Sequence, residues 1–94
     1  MNKSDLIQEI TNRIPDLPGR DVEVIVNTIF DSMSRSLQSG DRIEIRGFGS
    51  FEVRKRKPRQ GRNPKTGEHV FVGERKVPFF KVGKELRDRV DLDE

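Results

Sequence analysis

The apolar residues near the start of the chain recur with the spacing of an amphipathic helix. The apolar positions of this first helix share one side of it: Leu6, Ile7, Ile10 and Ile14. Asn2 has the side chain of an N-cap residue, and Asp5 three positions later completes a capping pair for the free backbone amides. Pro15 is incompatible with a continued helix, so we predict that the first helix ends before it.

A second, longer helix is predicted between Pro18, which suits a first turn, and Gly40, which suits a helix end. Its apolar stripe consists of Val22, Ile25, Val26, Ile29, Phe30, Met33 and Leu37. This stripe is too wide for one short partner helix to cover. We therefore expect residues 1–40 to form a helical base that packs on a sheet or on another subunit.

After the second helix the hydrophobic period changes to two, which indicates strands. Ile43 and Ile45 alternate with polar residues, and "SFEVRKR" repeats the alternation after a tight turn at "GFG". We predict that residues 41–55 and 74–82 form a sheet. Pro78 cannot donate a backbone hydrogen bond, which favours an edge strand or a bulge at that position.

The segment between those strands cannot belong to a core. "RKPRQGRNPKTGE" holds 13 residues, five of them Arg or Lys, with no apolar residue besides two prolines. "NPKTG" is typical of a turn, and "HVFV" at 69–72 is predicted as the returning strand. Residues 56–73 are therefore expected to form a two-stranded arm, and a short helix at 84–90 completes an α+β chain.

The composition limits what one copy of the chain can bury. Of its 94 residues 31% are hydrophobic, and none is a cysteine that could form a disulfide or a cysteine-based zinc site. A second chain is the expected support for folding. Because no apolar run approaches the roughly 18 residues of a membrane span and no signal-peptide core is present, we expect a soluble, cytoplasmic protein without membrane contact.

Catalysis is not expected, nor is a metal site or a cofactor. The single histidine, His69, lies in the predicted arm with no evident carboxylate partner. The glycine-bearing motifs lack the following helix that a nucleotide-binding loop requires.

Charge is distributed unevenly along the chain. Residues 54–76 carry nine basic and two acidic side chains, a net charge of +7, whereas residues 1–41 have a net charge of −3. Such a cationic segment favours a polyanion, and two-stranded ribbons fit the grooves of DNA. Basic ribbons also meet RNA, so an RNA-binding protein stays an alternative, although base stacking would have only Phe71 as a predicted exposed aromatic.

The segment "GFGSFEVRKRKPRQGRNPKTGE", with "MNKSDLI" before it and "VPFFKVGKELRD" after it, resembles the bacterial HU and integration host factor family of DNA-bending proteins. "RIEIR" resembles the β-type chain of integration host factor. The resemblance covers essentially the whole chain. It implies an intertwined dimer with a helical base, an antiparallel sheet and two extended β-ribbon arms that embrace duplex DNA in recombination, transcription and nucleoid organisation.

The resemblance also implies roles for individual residues. Pro64 would be a wedge between base pairs, with Arg62 and Asn63 beside it in the minor groove. Further DNA contacts are implied for Arg54, Arg56, Lys57, Arg59, Lys65, Arg75, Lys76 and Lys84. A polar cluster that helps to select the DNA sequence is implied for Arg42, Glu44 and Arg46, with the carboxylate orienting the arginines through charge-assisted hydrogen bonds. The dimer core is implied to contain Phe30, Phe48, Phe51 and Phe80.

The nature of the second subunit stays open. Host-factor β-type chains pair with a distinct α-type chain, whereas HU chains often pair with themselves. A general HU-like nucleoid protein with little sequence preference is therefore the alternative to a site-selective host factor, and both would be nucleoid-associated in the cytoplasm.

Overall fold

The computed structural model of the chain describes residues 1–92, apart from the side chains of Arg59, Val70 and Val72. It has α+β composition and divides into two compact units, Met1–Arg35 and a second that begins at Ser36. Two helices precede the strands, α1 (Lys3–Arg13) and α2 (Gly19–Gln38), and a third, α3 (Lys84–Val90), follows them. None of these helices combines the length and apolar character needed to span a membrane.

Local hydrogen bonds explain where α1 begins and where α2 ends. The Asn2 side chain accepts a hydrogen bond from the Asp5 amide at 2.9 Å, and the Asp5 carboxylate accepts one from the Asn2 amide at 3.0 Å. These two bonds are the predicted capping pair. At the end of α2, Gly40 has a φ of +86°, and its amide bonds to the Leu37 carbonyl while the Asp41 amide bonds to the Ser36 carbonyl. This pair of bonds is a Schellman motif, which needs glycine at the left-handed position.

Three strands form an antiparallel sheet in the order β1 (Ile43–Ile45), β2 (Gly49–Arg56) and β5 (Arg75–Val82). The turn between β1 and β2 has Gly47 at a φ of +83°, and the Phe48 amide bonds to the Ile45 carbonyl at 3.0 Å. β5 is an edge strand of this sheet and contains Pro78, as its missing amide hydrogen predicted. The register of β5 against β2 is continuous, so no bulge is present.

The arm is a second antiparallel ladder, formed by β3 (Arg59–Arg62) and β4 (His69–Val72). Its register continues that of β2 and β5, so the two ladders are parts of one ribbon. Pairing is interrupted where residues 57 and 58 face residues 73 and 74. Pro58 explains this interruption, because it has no amide hydrogen to donate across the ribbon.

A single copy of the chain buries little apolar surface. Of the described side chains, Val22 and Val26 are the apolar ones that are buried, each 1% exposed. Much of the apolar stripe of α2 is open to solvent, as are several apolar residues of the sheet; the exposed set includes Ile25, Ile29, Phe30, Ile45, Phe48, Phe80 and Val82. Because apolar burial is the main stabilising term in folding, this surface calls for a second subunit.

Candidate nucleic-acid interface

The tip of the arm is a turn closed by Asn63 and Gly67. The Asn63 amide donates to the Glu68 carbonyl at 2.8 Å, and the Gly67 amide donates to the Asn63 carbonyl at 2.7 Å. The Asn63 side chain accepts a third bond from the Lys65 amide at 2.9 Å, and Gly67 adopts a φ of +75°. Pro64 is exposed at the tip and takes part in none of these bonds. The hydrogen bonds that close the turn are therefore made without Pro64.

One face of the arm carries four described side chains. Cross-strand register pairs Arg62 with His69 and Gln60 with Phe71, so these four side chains share one face. All four are exposed. The predicted DNA contact of the Arg59 side chain lies outside the described part of the structure.

The base of the arm places like charges directly opposite each other. Lys55 pairs with Lys76 and Arg56 pairs with Arg75 across the ribbon. Successive residues of a strand point to opposite faces, so Lys55 and Lys76 share one face of the ribbon and Arg56 and Arg75 share the other. Each opposed pair of like charges weakens the free ribbon. Glu74 supplies a weak partner, with its carboxylate 4.0 Å from the Lys55 ammonium. An open depression of about 430 Å³ next to these cations is lined by Arg56, Lys57, Arg75, Val77 and Pro78.

Lys55 was not among the DNA contacts predicted from the sequence, although it belongs to the same cationic run. Lys55 lies opposite Lys76 because of the cross-strand register, which cannot be read from the sequence alone. Lys84, which was predicted to bind DNA, has an ion pair with Asp88 at 2.9 Å one turn along α3. Both side chains are largely exposed, so this pair is weak.

The predicted polar cluster lies on one wall of a second depression, of about 550 Å³. Arg42, Glu44 and Arg46 line it together with Ser50 and Lys81. Register explains the last two, because Ser50 pairs with Glu44 on one side and with Lys81 on the other. The expected hydrogen bonds from the arginines to Glu44 are not formed: among the described residues, the Glu44 side chain has no ion pair and no hydrogen bond. The carboxylate is open to a ligand instead.

The Arg54 side chain has two partners on its face of the sheet. Its guanidinium lies 3.5 Å from the centroid of the Phe79 ring and donates to the Glu52 carboxylate at 3.0 Å. Stacking and ion pairing together orient the planar group. The DNA contact of Arg54 stays a prediction, and a phosphate at this position would compete with Glu52. The sequence already places Glu52 on the face of Arg54, because the two residues are two positions apart on one strand. Phe79 carries no such signal, because the cross-strand register places it there.

Three of the phenylalanines predicted for the dimer core form a cluster around Phe80. The Phe80 ring lies 5.5 Å from the Phe48 ring and 4.8 Å from the Phe51 ring, both in tilted geometry that suits aromatic pairs. Gly49 makes this possible, because a Cβ there would lie 2.7 Å from the Phe80 ring. Phe48 and Phe80 are 43% and 39% exposed, and Phe30 in the helical unit is 45% exposed. These rings have apolar surface left for a second chain.

Comparisons with known proteins agree with this geometry. The profile of a family described as "Bacterial DNA-binding protein" matches residues 1–91. The chain is 58% identical over 91 residues to integration host factor subunit beta of Cupriavidus metallidurans, covering 97% of this chain and 67% of that protein. It is also 58% identical over 91 residues to the same subunit of Laribacter hongkongensis, covering 97% and 92%. An Anabaena HU–DNA cocrystal structure superposes with a TM-score of 0.85 at 34% identity, covering 96% and 97%.

The chain belongs to the family of bacterial DNA-binding proteins that includes HU and integration host factor. It is an architectural, DNA-bending protein, and the family is not a family of enzymes. The identity to these two β subunits, 58%, is above the 34% identity to Anabaena HU, which agrees with the "RIEIR" motif.

Proposed function

We propose that this chain is the β-type subunit of a dimeric host factor that inserts its arm, residues 56–73, into the minor groove and bends duplex DNA at Pro64. The observation that carries the proposal is the turn at the arm tip. Asn63 and Gly67 close that turn, so Pro64 is free to serve another purpose. An exposed, rigid and apolar ring on a cationic ribbon suits entry into a partly opened base step.

The energetics favour a wedge that acts together with the cations. Unstacking one base step costs a few kcal/mol, which is offset when bent DNA reaches more of the protein surface. Arg56 and Arg75 at the base of the arm provide such a surface on the ribbon face of Arg62, since the repulsion between them is relieved by phosphates. Arg62 and Lys65 are exposed near the tip and suit the electronegative minor groove.

The proposal extends to the assembly and the cellular role. We propose one DNA-binding domain over residues 1–94, with a helical base at 1–40, a sheet at 41–55 and 74–82 and a C-terminal helix at 84–90. The apolar surface left open by one copy is covered by an α-type chain or by a second copy. The complex acts without catalysis, in the nucleoid of the cytoplasm, in recombination, transcription and DNA compaction.

Substitution of Pro64 tests the wedge, and Pro58 provides a matched control. Pro58 is also an exposed proline of the same ribbon, but it lies at the base of the arm. Pro64→Ala is expected to keep the fold, to reduce the bend measured by energy transfer between labelled duplex ends, and to weaken binding to linear DNA more than to nicked DNA. Pro58→Ala is expected to keep the bend. An undiminished bend with Pro64→Ala would place the wedge elsewhere.

A further inference from the structure

Phe71 is the most exposed of the described phenylalanines, with 70% of its surface open to solvent. It lies in β4, whose pairing partner in the two-stranded arm is β3. No second layer is available in the arm to cover an aromatic ring. Single exposed apolar residues are common on protein surfaces. What distinguishes Phe71 is its position, because its ring lies on a cationic arm that the proposed function brings against DNA, where it can bury apolar surface that the neighbouring cations cannot offer.

The register places Phe71 on the same face as Arg62. Phe71 pairs with Gln60, and Arg62 pairs with His69 two positions nearer the tip. Residues two apart on a strand are separated by about 7 Å, which matches about two base steps of DNA. If Arg62 faces the groove, as the proposed function requires, Phe71 faces it about two base steps further along.

We propose that Phe71 is an additional DNA-binding residue, whose ring packs against the deoxyribose walls of the minor groove. The proposal rests on the function proposed above. Its occupant is duplex DNA because the neighbours of the ring are cationic or polar: Arg62 and His69 lie on the same face, and Lys65 is at the tip. A second copy of the arm would bring the same positive charge towards this face, whereas DNA brings phosphates.

The physical nature of this contact separates it from the cations. An aromatic ring releases no counterions from phosphates, so its contribution does not depend on salt in the way that a lysine or arginine contact does. Burial of a phenylalanine that is mostly exposed in the free protein corresponds to a change of about tenfold or more in affinity. Phe71 therefore adds a salt-insensitive share to a binding energy that is otherwise largely electrostatic.

The test compares Phe71→Ser and Phe71→Leu in the full dimer, with Kd for one linear duplex measured over a series of salt concentrations. Phe71→Ser is expected to bind about tenfold more weakly at every salt concentration, with an unchanged slope of log Kd against log salt. Phe71→Leu keeps an apolar side chain and is expected to lose much less. Val90→Ser, which removes an exposed apolar residue from α3, is the control and is expected to bind as the wild type does.

Three results would overturn the inference. One is a Phe71→Ser variant with wild-type affinity. Another is a loss accompanied by a flatter salt slope, because that means displaced cations rather than a lost apolar contact. The third is a change in self-association without DNA at unaltered affinity, because the ring then serves a protein contact. Failure of the wild-type protein to bind the duplex would instead reject the proposed function, so the two failures are distinguishable.

Discussion

Glu44 is an acidic residue in a depression whose other charged residues are Arg42, Arg46 and Lys81. It is exposed and has no ion pair among the described residues. Phosphates repel a carboxylate, so its presence near DNA needs a reason other than general affinity. A carboxylate can accept hydrogen bonds from a base or from an arginine that approaches one, so we propose that Glu44 contributes to the choice of DNA sequence.

Glu44→Ala is therefore expected to reduce the preference for a selected duplex over a random one. Binding to random DNA is expected to strengthen slightly, because a negative charge is removed. Competition binding with both duplexes measures the two changes together. Glu74→Ala removes one charge elsewhere on the ribbon and is expected to strengthen binding to both duplexes alike. Equal changes on both duplexes with Glu44→Ala would exclude a role in sequence choice.

At the scale of the element, the ribbon is built for a ligand rather than for its own stability. Lys55 faces Lys76 and Arg56 faces Arg75, although opposed like charges weaken an antiparallel pair. The interruption at Pro58 further separates the arm from the sheet, so that β3 and β4 have only each other for backbone hydrogen bonds. A two-stranded ladder of this kind is marginal in water and is expected to open readily without DNA.

Replacing Arg56 and Arg75 together with alanine is expected to have opposite effects on stability and on binding. The free energy of unfolding is expected to rise by about 0.5 kcal/mol, because an opposed pair of like charges is removed. DNA binding is expected to weaken for all sequences, with the salt slope smaller by about two units. Denaturant titration and salt-dependent binding measure the two effects.

A double substitution of Arg13 and Arg35 provides the control for net charge. Both arginines lie on helices in exposed ion pairs, with Glu9 and with Asp31. This control removes the same charge and is expected to keep the salt slope. An unchanged slope after removal of Arg56 and Arg75 would mean that the base of the arm does not contact phosphates.

At the scale of the whole molecule, one copy of the chain is an incomplete folding unit. Its described buried apolar residues are two valines, while three of the four predicted core phenylalanines are about 40% exposed. Folding has to offset a large loss of conformational entropy, which so small a core cannot do alone. Assembly with a second subunit is therefore part of folding rather than a later step.

The melting temperature is expected to fall on dilution, because association and folding are coupled by mass action. Phe80→Ala removes the ring that contacts both Phe48 and Phe51 and is expected to lower the free energy of unfolding by about 3 kcal/mol or more. Phe71→Ala makes the same chemical change at an exposed site and is expected to have little effect. A compact monomer with a concentration-independent melting temperature would contradict coupled folding.

The sequence by itself determined the elements whose causes are local. The Asn2–Asp5 capping pair and the end of α2 at Gly40 follow from the chemistry of neighbouring residues. For Pro78 the sequence limited the choice to an edge strand or a bulge, and the structure has the edge strand. The class of ligand was also accessible, because a net charge of +7 over residues 54–76 needs no three-dimensional information. The individual roles came from motif resemblance, since "GRNPKTG" and "GFGSF" are specific beyond their composition.

The tertiary structure decided which distant residues meet. Strand register opposes Lys55 to Lys76, brings Lys81 to the cluster around Glu44 and sets Phe71 on the face of Arg62. A shift of one residue would move every side chain of a strand to the other face, and no local propensity prevents that shift. Register is settled by packing between segments far apart in sequence, as where Phe80 occupies the space that Gly49 leaves open. Such packing is a property of the folded chain rather than of any short segment of its sequence.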